Sequence, residues 1–140
     1  MAQFKGKYKL ESSENFEQFM QALGVNYLLR KVGNTTKPTL TIETDDGKHF
    51  KFISESTFKN ITVEFDLGEE YEDTSPDGRK TKNVVTLNEN KLTQTEKPHD
   101  GKGKEVTYIR ELTDSDDLKV TCILDDIVAT RLYKRVIKAV

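Results

Sequence analysis

The sequence predicts an all-β fold of about ten short strands, a sandwich or a barrel, interrupted once by a pair of helices. Three observations carry this. Most of the chain alternates apolar and polar residues with period two, the signature of half-buried strands. Turn chemistry recurs roughly every 8–12 residues, as in sandwiches and barrels. Only residues 14 to 36 switch to helical spacing.

Taken in order, FKGKYKLE (4–11) reads as the first strand. In ENFEQFMQALG, Phe16, Phe19, Met20 and Leu23 fall at i, i+3, i+4 and i+7, one apolar helix face that stops at Gly24. Asn15 is placed as its N-cap. VNYLLRKVGNTTKP reads as a second short helix, ended by Gly33 and Pro38. TLTIETDDGKHFKFISES then gives two strands around Asp46-Gly47, a strong hairpin signal. ITVEFDLG and EEYEDT precede a turn at Ser75-Pro76-Asp77-Gly78. RKTKNVVTL, a turn at Asn88-Glu89-Asn90, KLTQTEK and a loop at Pro98-His99-Asp100-Gly101 continue the meander. EVTYIREL, the turn TDSDD, LKVTCIL, a turn at Asp125-Asp126 and IVATRLYKRVI complete it. With no repeat, low-complexity tract or linker, residues 1–140 are expected to form one domain.

Composition narrows the function classes. The chain has 22 Lys+Arg against 24 Asp+Glu, a net charge of −2, which argues against a nucleic-acid partner or a polybasic membrane anchor. Only 34% of residues are hydrophobic and 33% are charged, which leans toward disorder. Yet Leu, Ile, Val and Phe make up about a quarter of the chain, above the roughly 20% floor for disorder. The single Cys122 excludes an internal disulfide, and with only His49 and His99, far apart, no structural zinc site is expected. The N-terminal MAQFKGKYKL lacks an apolar signal core, and a soluble protein of a reducing compartment is the expectation.

In a meander of sequential hairpins every other residue faces inward. A packed interior would need an aliphatic inward set, but Thr, Ser, Arg and Tyr share faces with Phe, Val and Ile. This favours a barrel around a partly wet cavity, closed without edges. Ala129, Arg131 and Tyr133 share one strand face, as do Tyr108 and Arg110. If those faces point inward, the guanidinium forks of Arg110 and Arg131 suit a carboxylate and the Tyr133 phenol adds a neutral donor. Strand arginines are usually exposed, so spacing alone leaves a solvated face as the other reading.

The segments FKGKYKL, NFEQFMQALGV, TKPT, STFKN, FDLGEEYED, DGRK, IREL and TRLYK stand in the order of one known family. The chain resembles the intracellular lipid-binding proteins, that is, the cytosolic fatty-acid-binding proteins and their retinoid-binding relatives. The likeness is greatest to the invertebrate fatty-acid binders. It implies a ten-stranded antiparallel up-and-down β-barrel, or β-clam, with a helix–turn–helix lid at about residues 15–36. It also implies a cytoplasmic, monomeric carrier of long-chain fatty acids that needs no cofactor and catalyses no reaction. On this likeness Arg110, Arg131 and Tyr133 become the carboxylate-binding trio. Phe16, Phe19, Met20, Leu23, Val25, Val32, Gly33, Thr36 and Pro38 fall on the lid and cavity wall. Ser56 and Phe58 flank the portal, Asp77 and Arg79 the opposite portal turn, and Val120 and Cys122 lie beside the trio. Retinoic acid is the alternative ligand, since it too presents a carboxylate. Arg30 and Lys31 are placed to help the lid touch anionic membranes transiently. Tyr8 stands where the family usually carries Trp, and the loop around Lys97–Lys104 is longer than usual.

Overall fold

A computed structural model describes residues 4–75 and 78–136 of the chain. Ten strands form a single antiparallel sheet: β1 (Gly6–Glu14), β2 (Thr39–Glu43), β3 (His49–Glu55), β4 (Ile61–Asp66), β5 (Tyr71–Thr74), β6 (Lys80–Asn88), β7 (Lys91–Pro98), β8 (Val106–Leu112), β9 (Leu118–Leu124) and β10 (Ile127–Arg135). The order β4-β3-β2-β1-β10-β9-β8-β7-β6-β5 follows the chain, except that β1 pairs with β10 and so curls the meander on itself. The expectation of a barrel without edges is corrected at one place. β4 and β5 end the sheet and do not pair, so the barrel is nearly rather than fully closed. Aromatic rings close that seam instead. Phe65 of β4 stacks on Tyr71 of β5 at 5.2 Å between centroids, and Phe52 and Phe50 pack against Phe65 at 5.2 and 5.9 Å.

β1 runs three residues further than the sequence suggests, to Glu14. Its register on β10 slips between Leu10 and Ser12, a bulge that bends the strand so that it can serve two neighbours. Positive φ at Glu89, Asn90 and Asp125 supplies the tight turns read at those positions.

Helices α1 (Phe16–Leu23) and α2 (Tyr27–Thr35) lie between β1 and β2. α1 ends as expected at Gly24, which takes φ 94° while its N–H and that of Val25 close on Gln21 O and Met20 O. Asn15, however, does not cap α1 with its side chain. It adopts a left-handed φ of 60° and donates Nδ2 to Val128 O, pinning the helix start to β10. The side-chain cap belongs to α2, where Asn26 Oδ1 accepts from Leu29 N at 3.0 Å. Gly33 likewise does not stop α2. It sits inside the helix, where a Cβ would lie 2.8 Å from Met20 Sδ, so its bare backbone lets α1 and α2 approach. Glu17 clamps the pair, accepting from Arg30 Nε at 3.0 Å and Asn34 Nδ2 at 2.8 Å. α2 buries none of its side chains fully and packs chiefly on α1, whereas α1 rests on β9 and β10.

Candidate ligand-binding cavity

Under the helices lies a cavity of about 400 Å³, within the range of small-molecule sites. α1 roofs it with the stripe Phe16, Phe19, Met20 and Leu23, continued by Val25. α2 and the segment after it contribute Val32, Gly33, Thr36 and Pro38. The β3–β4 turn adds Ser56 and Phe58, with Phe58 46% exposed at the mouth. Ser56 spends its hydroxyl on that turn, accepting from Phe58 N and Lys59 N and donating to Lys59 O. Arg79 lines the opposite rim, and Asp77 lies outside the described residues. The far wall carries Tyr108, Val120, Cys122, Arg110, Arg131 and Tyr133.

The sheet register sets the two arginines on one row of the inner face. Arg110 of β8 stands opposite Val120 of β9, and Val120 stands opposite Arg131 of β10. The three share one cross-strand row, with the arginine Cα atoms two strands apart, roughly 9–10 Å. The short Val120 stands between them on the same row. Tyr133 follows two residues beyond Arg131 on the same face. The Cys122 thiol, one row away, feels both Arg131 and Arg110, yet burial outweighs them and pushes it up to about 11. It is therefore a neutral, packed thiol at physiological pH.

Among the described residues, each arginine is held only by neutral groups. Arg110 Nη1 donates to Gln94 Oε1 at 2.8 Å, and its guanidinium lies 5.2 Å from the Phe52 ring centre and 5.7 Å from that of Tyr108. Arg131 Nε donates to Ser13 Oγ at 3.1 Å, and its guanidinium sits 3.9 Å over Phe16. Phe16 thus both stacks on Phe19 within the roof, at 5.9 Å, and faces the arginine. Arg79 differs, for its Nη1 lies 3.7 Å from Glu96 Oε2.

A side-chain chain continues from Arg110 along the inner face. Gln94 Nε2 donates to Asn83 Oδ1 at 2.8 Å and Asn83 Nδ2 to Thr81 Oγ1 at 3.0 Å. Gln94, Tyr71, Asp73 and Phe52 line the cavity without having been singled out in the sequence. The inward parity of KLTQTEK contained Gln94 and Glu96, a signal that could have found both. Arg30, which the likeness places for membrane contact with Lys31, is committed to Glu17 and Val25 O, while Lys31 is exposed. Among the described residues no group of three or more His, Cys, Asp or Glu side chains is gathered for a metal, and no helix is long and apolar enough to cross a membrane.

Comparison with known proteins agrees with this architecture. A model of the lipocalin / cytosolic fatty-acid binding protein family matches residues 5–136. A fatty acid-binding protein of Schistosoma japonicum is 45% identical over 136 residues, covering 96% of this chain and 99% of the relative. The Schistosoma mansoni fatty acid binding protein solved in complex with arachidonic acid superposes with a TM-score of 0.90 at 40% identity, covering 98% of each chain. Fatty-acid-binding protein 1 of Echinococcus granulosus also gives 0.90, at 34% identity and covering 98% of this chain and 100% of its own. With the family model spanning nearly the whole chain and relatives this similar end to end, the chain belongs to the lipocalin / cytosolic fatty-acid binding protein family.

Proposed function

We propose that this chain binds a long-chain fatty acid in the cavity and carries it through the cell without chemical change, the carboxylate being held by Arg110, Arg131 and Tyr133. One observation supports this most. Among the described residues neither Arg110 nor Arg131 has a carboxylate partner, although both face the interior. Two half-buried guanidiniums without a counter-ion are costly, and a ligand carboxylate supplies the missing charge. The Tyr133 hydroxyl, with no hydrogen bond to a described protein group, is free to donate to the same anion.

The tail and the headgroup do different work. At ~0.8 kcal/mol per CH₂, burying a tail of about sixteen carbons yields on the order of 10 kcal/mol gross. Loss of translational freedom offsets a sizeable part of that. The aromatic and aliphatic roof therefore supplies most of the affinity, and the trio selects acids and fixes their direction. Entry and exit lie between α2, Phe58 and the Arg79 rim, and α2, resting chiefly on α1, is the piece suited to yield. Delivery by transient contact of this lid with membranes is part of the proposal, with Lys31 rather than Arg30 as the available charge.

The test is calorimetry with oleate and oleyl alcohol. Arg131→Ala should weaken oleate by more than tenfold, as expected for removing a charge-assisted contact, while hardly changing the alcohol. Equal weakening of both would refute the headgroup assignment. Competition with retinoic acid, which carries the same headgroup on a stiffer tail, ranks the two ligand classes.

A further inference from the structure

The cavity wall is more polar than an alkyl tail requires. Tyr71 and Tyr108 both line the cavity, and neither hydroxyl is hydrogen-bonded to a described protein group. Tyr108 lies on β8 and Tyr71 on β5, three strands apart on the cavity wall. Tyr108 stands opposite Gln94, one row from Arg110. Tyr71 stands opposite Asn83, which stands opposite Glu96, one row further on. Glu96 is buried on the row of Tyr71 and ion-paired with Arg79. Burial pushes the Tyr71 phenol up to about 12 and raises Tyr108 further still, so both remain neutral O–H groups at physiological pH.

We propose that Tyr108 and Tyr71 form a second recognition point in the cavity, which selects long-chain acids bearing a hydroxyl near the middle of the chain. This rests on the carboxylate reading above, because the trio fixes which part of the tail reaches the tyrosines. Each row is two residues along a strand, so the backbones of Tyr108 and Tyr71 stand roughly 7 and 13 Å along the strands from the arginine row. A carboxylate at Arg110 and Arg131 then brings mid-chain carbons past them. A saturated tail would strip these phenols of water and return no hydrogen bond, a penalty the site suffers with every unsubstituted acid. A hydroxyl on the passing chain exchanges a hydrogen bond with whichever phenol it meets. Gln94 cannot substitute for them as freely, since its oxygen already serves Arg110 and its amide serves Asn83. Discrimination by a site built to hydrogen-bond a ligand hydroxyl is the stronger kind of specificity.

The experiment compares stearate with a mid-chain hydroxystearate on the full-length chain, by displacement of a fluorescent fatty acid. The wild type should bind the hydroxy acid about tenfold more tightly. Tyr108→Phe should lower that preference, read as the ratio of the two affinities in the same variant, and Tyr71→Phe should lower it independently. Equal affinity of the wild type for both acids, with stearate still sensitive to Arg131→Ala, would overturn the hydroxyl site and leave the carboxylate reading intact. A preference that survives both tyrosine variants would overturn the assignment to these residues. Failure of the wild type to bind either acid would overturn both readings together.

Discussion

Tyr8 and Arg135 close the molecule at the scale of single side chains. Tyr8, fully buried, donates its hydroxyl to Phe4 O at 2.8 Å and accepts from Arg135 Nη2 at 2.7 Å, while the guanidinium covers its ring at 4.7 Å. Arg135 reaches on to Lys5 O and Asp116 O, joining the first strand, the last strand and the β8–β9 turn. Tyr8→Phe keeps the ring and leaves the Phe4 carbonyl without this donor, so a loss of about 1–3 kcal/mol is expected in urea unfolding. An unchanged midpoint would mean that the hydroxyl adds nothing. A family resemblance sets Tyr8 where relatives usually carry Trp, but its partner lies 127 residues away and no local pattern names it. The cavity behaves similarly. Period two put Tyr108 with Arg110 and Arg131 with Tyr133, whereas the Arg110–Gln94 bond depends on how β7 slides against β8, which turn lengths decide.

Among the elements, the β8–β9 turn shows how a short loop can hold a barrel end. Asp117 Oδ1 accepts from Arg135 N at 2.9 Å, its Oδ2 lies 3.1 Å from Lys134 Nζ, and its own N–H bonds Thr113 Oγ1. The Arg135 N–H foremost, then Lys134, holds its carboxyl below the usual carboxylate range. A carboxylate with a depressed folded-state value stabilises the fold above its unfolded value, roughly 3.9. That contribution disappears as pH falls through the lower folded value. Asp117→Asn should therefore lower the thermal midpoint at neutral pH, and the two proteins should converge in strong acid. A gap that persists undiminished in strong acid would contradict the ionic account. The helices were legible because their apolar spacing is local, and their ends less so. Asn15 was drawn into a left-handed turn by Val128 O on a distant strand, and Gly33 serves the approach of α1 rather than a helix stop. Both are tertiary demands overriding local preference.

For the whole molecule, a low apolar fraction and a near-closed sheet are one fact. The wall encloses about 400 Å³ instead of a solid core, so inward positions include arginines, tyrosines and amides that a packed interior would exclude. Alternation made the barrel legible. The unpaired seam between β4 and β5 was not, because FDLGEEYED alternates like any hairpin while Phe65 and Tyr71 replace the backbone ladder with stacked rings. Where a bound carboxylate sits is reported directly by its own titration. Oleate labelled with carbon-13 at the carboxyl, bound to the full chain, should give a resonance that stays constant as pH falls through the range where an unpaired carboxyl titrates, near 4.3 for a glutamate side chain. Two guanidiniums hold the ionised form and carry its protonation to lower pH. A resonance that titrates at the ordinary carboxyl value would place the headgroup in water, away from Arg110 and Arg131, and would contradict the account.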